Sequence, residues 1–313
     1  MGLTNSYATD YSYNTSTVSE IPVTSIAPKY RFLMIQAFDL PAGSKYMHRA
    51  TDGPKESRLM NHETLIEILA DIDWDLHRGP LTTYGDWPVE SREEFGLVAA
   101  GRLPIVREAC ESGKYNGIVL LGGGEPGFQE SREIARPFDI PVVSCAFAQM
   151  HFASMLGNKF SVIDLTEIHN MYYYNLVVQH RFDRRCASIR NLESPFPRPP
   201  HTEGLIPRVE KEKINRGERC EVLESAVTAA VEAIEEDGAE DGAEVITFGC
   251  SGLFFLRPFL AQRLQALGWD VPVLEGYQCA ITLAKSMVDL KVCASGLTFP
   301  PDRPKKWRRK KVF

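Results

Sequence analysis

Two stretches of this chain carry residue types and spacings suited to chemistry. The first is Gly242-Ala243-Glu244-Val245-Ile246-Thr247-Phe248-Gly249-Cys250-Ser251-Gly252, an apolar run of strand length that ends in small residues around one thiol. In a parallel α/β sheet such a turn sits at the carboxyl end of a strand, where open sheets collect their ligands. A helical pattern follows, so Cys250 is expected at or near a helix N-terminus. There the macrodipole and unpaired N–H groups favour anions and lower a thiol pKa. A thiol beside free amide donors can hold a carboxylate while moving a proton. The plainer alternative is a buried structural cysteine, since free Cys is among the most buried residue types.

The second stretch runs from Gly117-Ile118-Val119-Leu120-Leu121 into Gly122-Gly123-Gly124-Glu125-Pro126-Gly127. It repeats the plan of the first: an apolar strand, a small-residue turn, then a helix. Two lobes presenting such turns to each other would enclose a cleft. Backbone amides of Gly123, Gly124 and Ser251, and the Ser251 hydroxyl, are then candidate oxyanion donors. Each such donor is worth roughly 3–4 kcal/mol in other oxyanion holes. Glu125, Gly249 and Gln36 complete the expected lining. Cys145 closes its own apolar run, with a core thiol as the alternative. Tyr172, Tyr173 and Tyr174 offer hydroxyls from the second half, though a tyrosine run is more often packing. His180 and His151 are lone histidines whose default role is structural.

The elements needed to position these residues are legible from periodicity. Strands are expected at Arg31–Gln36, Asp73–Leu76, Gly117–Leu121, Ile140–Cys145, Lys159–Leu165, Val245–Phe248 and Val271–Leu274. Helical spacing marks residues 59–71, a segment opened by the capping box Ser91–Glu94, and His151–Leu156. It marks also Leu223–Ile234, Leu256–Leu267 closed by Gly268, and Tyr277–Val288. Pro104 is expected to end or kink the helix that otherwise reaches Cys110. Five prolines in residues 191–208 predict an irregular connection. Strands alternating with helices predict βαβ units and mainly parallel sheets, an α/β fold.

Length and composition set the bounds. The chain's 313 residues suffice for two lobes, and 44% hydrophobic with 24% charged residues is ordinary for a globular protein. A net charge of -6 argues against a general nucleic-acid binder. No apolar run approaches the roughly 18 residues of a membrane span. Seven cysteines without CxxC pairs, and no secretory signal, predict reduced thiols and a cytoplasmic location. No zinc spacing is present, so no metal is expected. Residues 1–29, polar and aperiodic, read as a mobile arm; their opening fits an N-myristoylation pattern too short to carry weight. The acidic run from Glu235 reads as solvated surface. The basic tail, 301–313, holds seven Lys and Arg between Arg303 and Lys311. Arm and tail could both dock on a neighbour, giving a homo-oligomer.

Taken in order, the Gly117–Gly127 stretch, Ile140-Pro141-Val142-Val143, the Asp241–Gly252 stretch and Pro272-Val273-Leu274-Glu275-Gly276 resemble the aspartate/glutamate/hydantoin racemase superfamily, closest to its hydantoin-racemase branch. The resemblance covers roughly residues 30–297. It implies two pseudo-symmetric α/β lobes, each a mainly parallel sheet flanked by helices, with the active site in the cleft between them and no cofactor. The first lobe would span 30–145, completed by about 275–300, and the second 146–274. It implies also two cysteines flanking the substrate's α-carbon, one removing the proton and the other returning it. Cys250 matches the second thiol. The first falls on Gly122, within one residue, and neither Gly122 nor Gly123 can carry a proton. Gln36-Ala37-Phe38-Asp39 and Phe147 also depart from the pattern. Gly on one side and Cys on the other is similar to arylmalonate decarboxylase. There, loss of CO2 creates the enediolate and one thiol protonates it. The expected function is therefore a cofactor-independent enzyme on a small carboxylate or related carbon acid, with Cys250 as proton donor, of decarboxylase or lyase type. The alternatives are a racemase or isomerase using a second base (His180, Glu125 or Asp39) and a non-catalytic binder of an acidic ligand.

Overall fold

A computed structural model describes residues 28–300 and 306, apart from 51, 83, 84 and 236–241. The expected N-terminal arm and basic tail, save residues 28, 29 and 306, lie outside the described residues, as does the acidic run after Glu235. Strand β1 (Tyr30–Ile35) is followed by helices α1 (Lys55–Arg58) and α2 (His62–Leu69), then β2 (Ile72–His77) and α3 (Arg92–Glu111). Next come β3 (Gly117–Leu120), α4 (Phe128–Ala135), β4 (Val142–Ser144) and α5 (Cys145–Leu156). The second half contains β5 (Phe160–Asp164), α6 (Glu167–Gln179), β6 (Cys186–Asn191), α7 (Pro207–Asn215), α8 (Glu221–Glu235) and β7 (Val245–Phe248). A 3₁₀ helix (Ser251–Leu256), α9 (Arg257–Ala266) and α10 (Gly276–Asp289) end the fold.

The strands form two parallel sheets, ordered β2-β1-β3-β4 and β6-β5-β7. Every residue of β3, β5 and β7 is buried, as expected for strands covered by helices on both faces. Each buried Val, Leu, Ile or Phe there contributes about 1.5–3 kcal/mol. The register pairs Ile35 with Leu120 and Ile163 with Phe248. The turn after β3 therefore leaves the first sheet, and the turn after β7 the second, from comparable carboxyl ends. Helix α10 returns to pack on β3, β4 and α2 of the first sheet. Its N-cap, Glu275, accepts from Tyr277 N (2.8 Å) and Gln278 N (2.6 Å).

The sequence expectations differ from the structure in a few places. Helix α3 runs through Pro104 to Glu111. The loss of one helical hydrogen bond is outweighed by the burial of Val98, Val106, Ala109 and Cys110 on its inner face. The Ser91–Glu94 capping box is present, with Glu94 Oε2 accepting from Ser91 N at 2.8 Å. Helix α5 begins at Cys145, directly after β4, rather than near His151. Val271–Leu274 is reduced to a single bridge, Ile246 to Val273. Helix α6 and strand β6 were not expected: α6 mixes polar and apolar residues on all sides, and β6 is half-buried throughout. No helix among the described residues is long and apolar enough to cross a membrane.

Candidate active site

The two small-residue turns meet. A Cβ built on Gly123 would lie 1.5 Å from the Gly249 carbonyl oxygen and 3.0 Å from Cys250 Cα, so only a glycine permits this approach. Gly122 has φ +102°, strained for any other residue, and its Cβ would sit 2.9 Å from Ala37 Cβ. A cavity of about 50 Å³ opens at this junction, lined by Gly122, Gly123, Gly124, Gly249, Cys250 and Ser251. Its remaining wall includes Arg49, Asp164, His169, Tyr172, Tyr173 and Tyr277. Among the described residues no group of three or more His, Cys, Asp and Glu could hold a metal ion.

Each turn is held by a polar clamp. Arg102, wholly buried on α3, donates to the carbonyls of Ile35 (3.1 Å), Leu121 (2.5 Å) and Pro126 (3.2 Å), so one guanidinium gathers both strand ends and the glycine turn. Burial brings its pKa down to about 10, which leaves it charged at neutral pH. On the other side, Gln149 of α5 exchanges two hydrogen bonds with the Phe248 backbone, at 3.0 and 3.1 Å. That fixes the residue two places before Cys250.

Cys250 caps the 3₁₀ helix, but its thiol pKa is not lowered as its helix-terminal position suggested. Burial first, and the Asp164 charge second, push it up. A short 3₁₀ turn has little dipole to set against burial and a neighbouring charge. The result is a thiol held protonated, suited to giving a proton rather than taking one. Asp164, at the carboxyl end of β5, approaches so closely that a Cβ on Gly249 would lie 2.3 Å from its Oδ2. Its Oδ1 accepts from Leu165 N at 2.7 Å and from His169 Nδ1 at 3.2 Å. With Asp164 ionised, that bond keeps a proton on Nδ1, so in the neutral ring Nε2 is the acceptor. The His169 Nε2 is buried and has no hydrogen-bond partner among the described residues. Burial opposes its charging, yet the charge and hydrogen bond of Asp164 together raise its pKa. Tyr172 stacks on Phe95 with centroids 4.3 Å apart, and burial raises its phenol pKa to about 12.

Of the residues expected at the site, the cavity gathers Gly122, Gly123, Gly124, Gly249, Cys250 and Ser251, with Tyr172 and Tyr173. It does not gather Glu125, His180, Gln36, Cys145 or Tyr174. Glu125 is turned into the protein, where its carboxylate accepts from Ser144 Oγ, Phe147 N and, at 2.7 Å, His180 Nε2. Glu125 and His180 are thus a buried pair that staples the glycine turn to α5 and to the end of α6. Gln36 donates to the Arg58 carbonyl at 2.8 Å. Cys145 is fully buried, its Sγ donating to Leu120 O at 3.6 Å, and burial pushes that thiol up strongly. Tyr174 points outward, 51% exposed, on the far face of α6. Asp39, considered as a second base, is paired with Arg78 at 2.8 Å. His151 instead bonds the Phe147 carbonyl, at 2.7 Å.

Sequence reasoning passed over Asp164, His169 and Arg49. An acid closing the apolar run Phe160–Ile163 was a usable signal for Asp164, because strand carboxyl ends collect ligands. Nothing comparable marked His169 or Arg49.

Comparison with known proteins places the chain in a family. The sequence profile of Asp/Glu/Hydantoin racemase matches residues 90–284. The chain belongs to the Asp/Glu/hydantoin racemase family. It is 28% identical over 213 residues to a hydantoin racemase of Paenarthrobacter aurescens, covering 68% of this chain and 76% of the relative. Among solved structures, allantoin racemase from Klebsiella pneumoniae superimposes with TM-score 0.61 at 20% identity, covering 90% of this chain and 97% of that one. A liganded double mutant of arylmalonate decarboxylase superimposes with TM-score 0.51 at 14% identity, covering 83% and 92%. At these identities the structural likenesses establish the racemase-family fold, parallel sheets flanked by helices. The chain is an enzyme of that family by its profile match.

Proposed function

We propose that this family member is a cofactor-independent isomerase that moves a proton at the acidic carbon of a small carbon acid, with Cys250 as the proton donor and His169 as the second acid–base group. The observation that carries this reading is that His169, held by Asp164 through Nδ1 and without a partner at its buried Nε2 among the described residues, lines the same cavity as Cys250. His169 would take the α-proton, leaving the electron pair as an enolate or enediolate whose oxygen is met by turn amides. Cys250 would return a proton from its thiol to the carbon, and the thiolate would be reprotonated from solvent or from the imidazolium. Two acid–base groups are what inversion requires, and the hydantoin racemase relatives support the reaction class. The native protein would then work without a second thiol, its role passing to an imidazole.

A second reading keeps Cys250 as donor and generates the same enediolate by loss of CO2. The glycine opposite Cys250 favours it, because decarboxylation needs only one proton-transfer group. Mass spectrometry of hydantoins, amino acids and malonates incubated with the protein in D2O separates the two. One deuterium gained without other mass change supports isomerisation. Loss of 44 mass units (CO2) with one deuterium gained selects decarboxylation and sinks the first reading.

A further inference from the structure

Charge that builds on a substrate oxygen in this cavity needs donors already in place, because a closed site cannot draw them from bulk water. Two of the glycine amides in the wall are committed elsewhere. Gly122 N–H donates to the Cys145 thiol, and Gly249 N donates to the Ile163 carbonyl at 2.8 Å. That leaves the amides of Gly123, Gly124 and Ser251, and whatever the side chains of the wall add. Three tyrosines line the cavity. Tyr173 contributes its ring only, since its hydroxyl is shut away from the space. Tyr172 lies flat on Phe95. The third, Tyr277, comes from the start of α10.

Tyr277 is held to one position from several sides. The Glu275 carboxylate, buried at the N-cap, accepts from Tyr277 N at 2.8 Å and from Gln278 N at 2.6 Å, which fixes the first turn of the helix. Gly276 is wedged so tightly that a Cβ there would lie 2.5 Å from both Cys145 Cβ and Phe254 Cζ. The Tyr277 ring stands edge-on to Phe254, with centroids 5.0 Å apart and planes at 89°, and the residue is only 4% exposed. Its side-chain torsions are thus set before any ligand arrives. Its phenol is hydrogen-bonded by Ser251, the residue that follows Cys250, so the hydroxyl lies beside the thiol's own turn. Burial pushes the phenol pKa up, and the Ser251 bond and the Arg49 charge offset only part of that. The group stays a neutral O–H, able to donate one hydrogen bond while Ser251 supports its oxygen.

We infer that Tyr277 is a further catalytic residue, whose hydroxyl donates a hydrogen bond to the enolate oxygen of the reacting substrate. The phenol keeps its proton throughout, and the proton delivered to carbon is still that of Cys250. The inference rests on the proposed function only for the charge on that oxygen, which isomerisation and decarboxylation share. Isothermal calorimetry near neutral pH tests it with barbiturate, a planar ring that is a stable enolate there, and with uracil, a neutral ring of the same size. The native protein binds barbiturate at least about tenfold tighter than uracil. Tyr277→Phe removes one oxygen and keeps the ring on Phe254, so thermal unfolding stays native. It weakens barbiturate about 10- to 100-fold and leaves uracil within about twofold, a charge-specific loss that a merely structural tyrosine would not give. On any carbon acid that turns over, the same variant lowers kcat about 10²–10³-fold with KM within about threefold. No saturable binding of barbiturate, no preference in the native protein, an equal loss for both rings, or an unchanged kcat overturns it. Loss of the preference in a protein that turns over no carbon acid supports the donor while counting against the proposed reaction, so the two can fail separately.

Discussion

The turn after β3 and the turn after β7 begin alike and end differently. Both leave a fully buried parallel strand, and both open onto the same cavity. The β7 turn keeps an ionisable side chain, Cys250. The β3 turn meets the cavity with Gly122, Gly123 and Gly124, its Glu125 being turned inward, with Gly122 at φ +102° and Gly123 pressed against the Gly249 carbonyl. The difference is more than one missing thiol: at Gly123 the space a side chain would need is filled by the opposite backbone, and at Gly122 it is crowded by Ala37. Under the proposed isomerase reaction a proton-transfer role absent from the first turn falls to another element, and His169 on α6, which lines the cavity and leaves its Nε2 unpartnered among the described residues, is the group proposed for it.

The comparison can be broken outright by Gly123→Cys. Its Cβ collides with main chain, which cannot swing aside as a flexible side chain would. We expect a loss of about 4 kcal/mol or more, seen as a lowered thermal midpoint, and no gain of activity. A stable and faster Gly123→Cys enzyme would mean that the turns can part. Cys250→Ala leaves the fold intact and lowers kcat by about 10²–10⁴, measured by chiral chromatography of the product. Retained turnover would remove the thiol from the mechanism.

The smallest effect sharpens the division of labour. As a base, His169 must be neutral, so kcat/KM should rise with pH through a value above the ordinary imidazole pKa of about 6.5. No falling limb is expected below the ordinary thiol value of about 8.5, because burial and Asp164 hold the Cys250 proton more tightly. Asp164→Asn moves the rising limb to lower pH, whereas a merely structural Asp164 would lower activity without moving it. The linkage to stability runs the other way: a raised folded pKa stabilises below about pH 6.5, and that contribution fades as pH rises through the folded value.

Much of the fold was legible because its sheets are parallel and buried. Such strands read as unbroken apolar runs, and Gly117–Leu121 and Val245–Phe248 announce their turns through abrupt small residues. Cys250 and the glycines were found for that reason. What escaped depended on contacts distant in the chain. Glu125 sits in the most suggestive motif, yet 55 residues further on His180 draws it into the interior. Helix α6 has polar residues scattered around its whole circumference, so no period places His169 on the cavity side. Arg49 lies in the long β1–α2 connection, where no periodicity says which way a side chain faces.

Helix α10 carries a consequence for how the molecule is made. It comes from residues 276–289, yet it packs on β3 and β4, and its Tyr277 forms part of the cavity wall. During synthesis the first sheet therefore waits, with one flank bare, until residues 276–289 have left the ribosome. Neither half can be expressed alone as a finished unit, and a stop codon before residue 276 would damage the sheet made long before it.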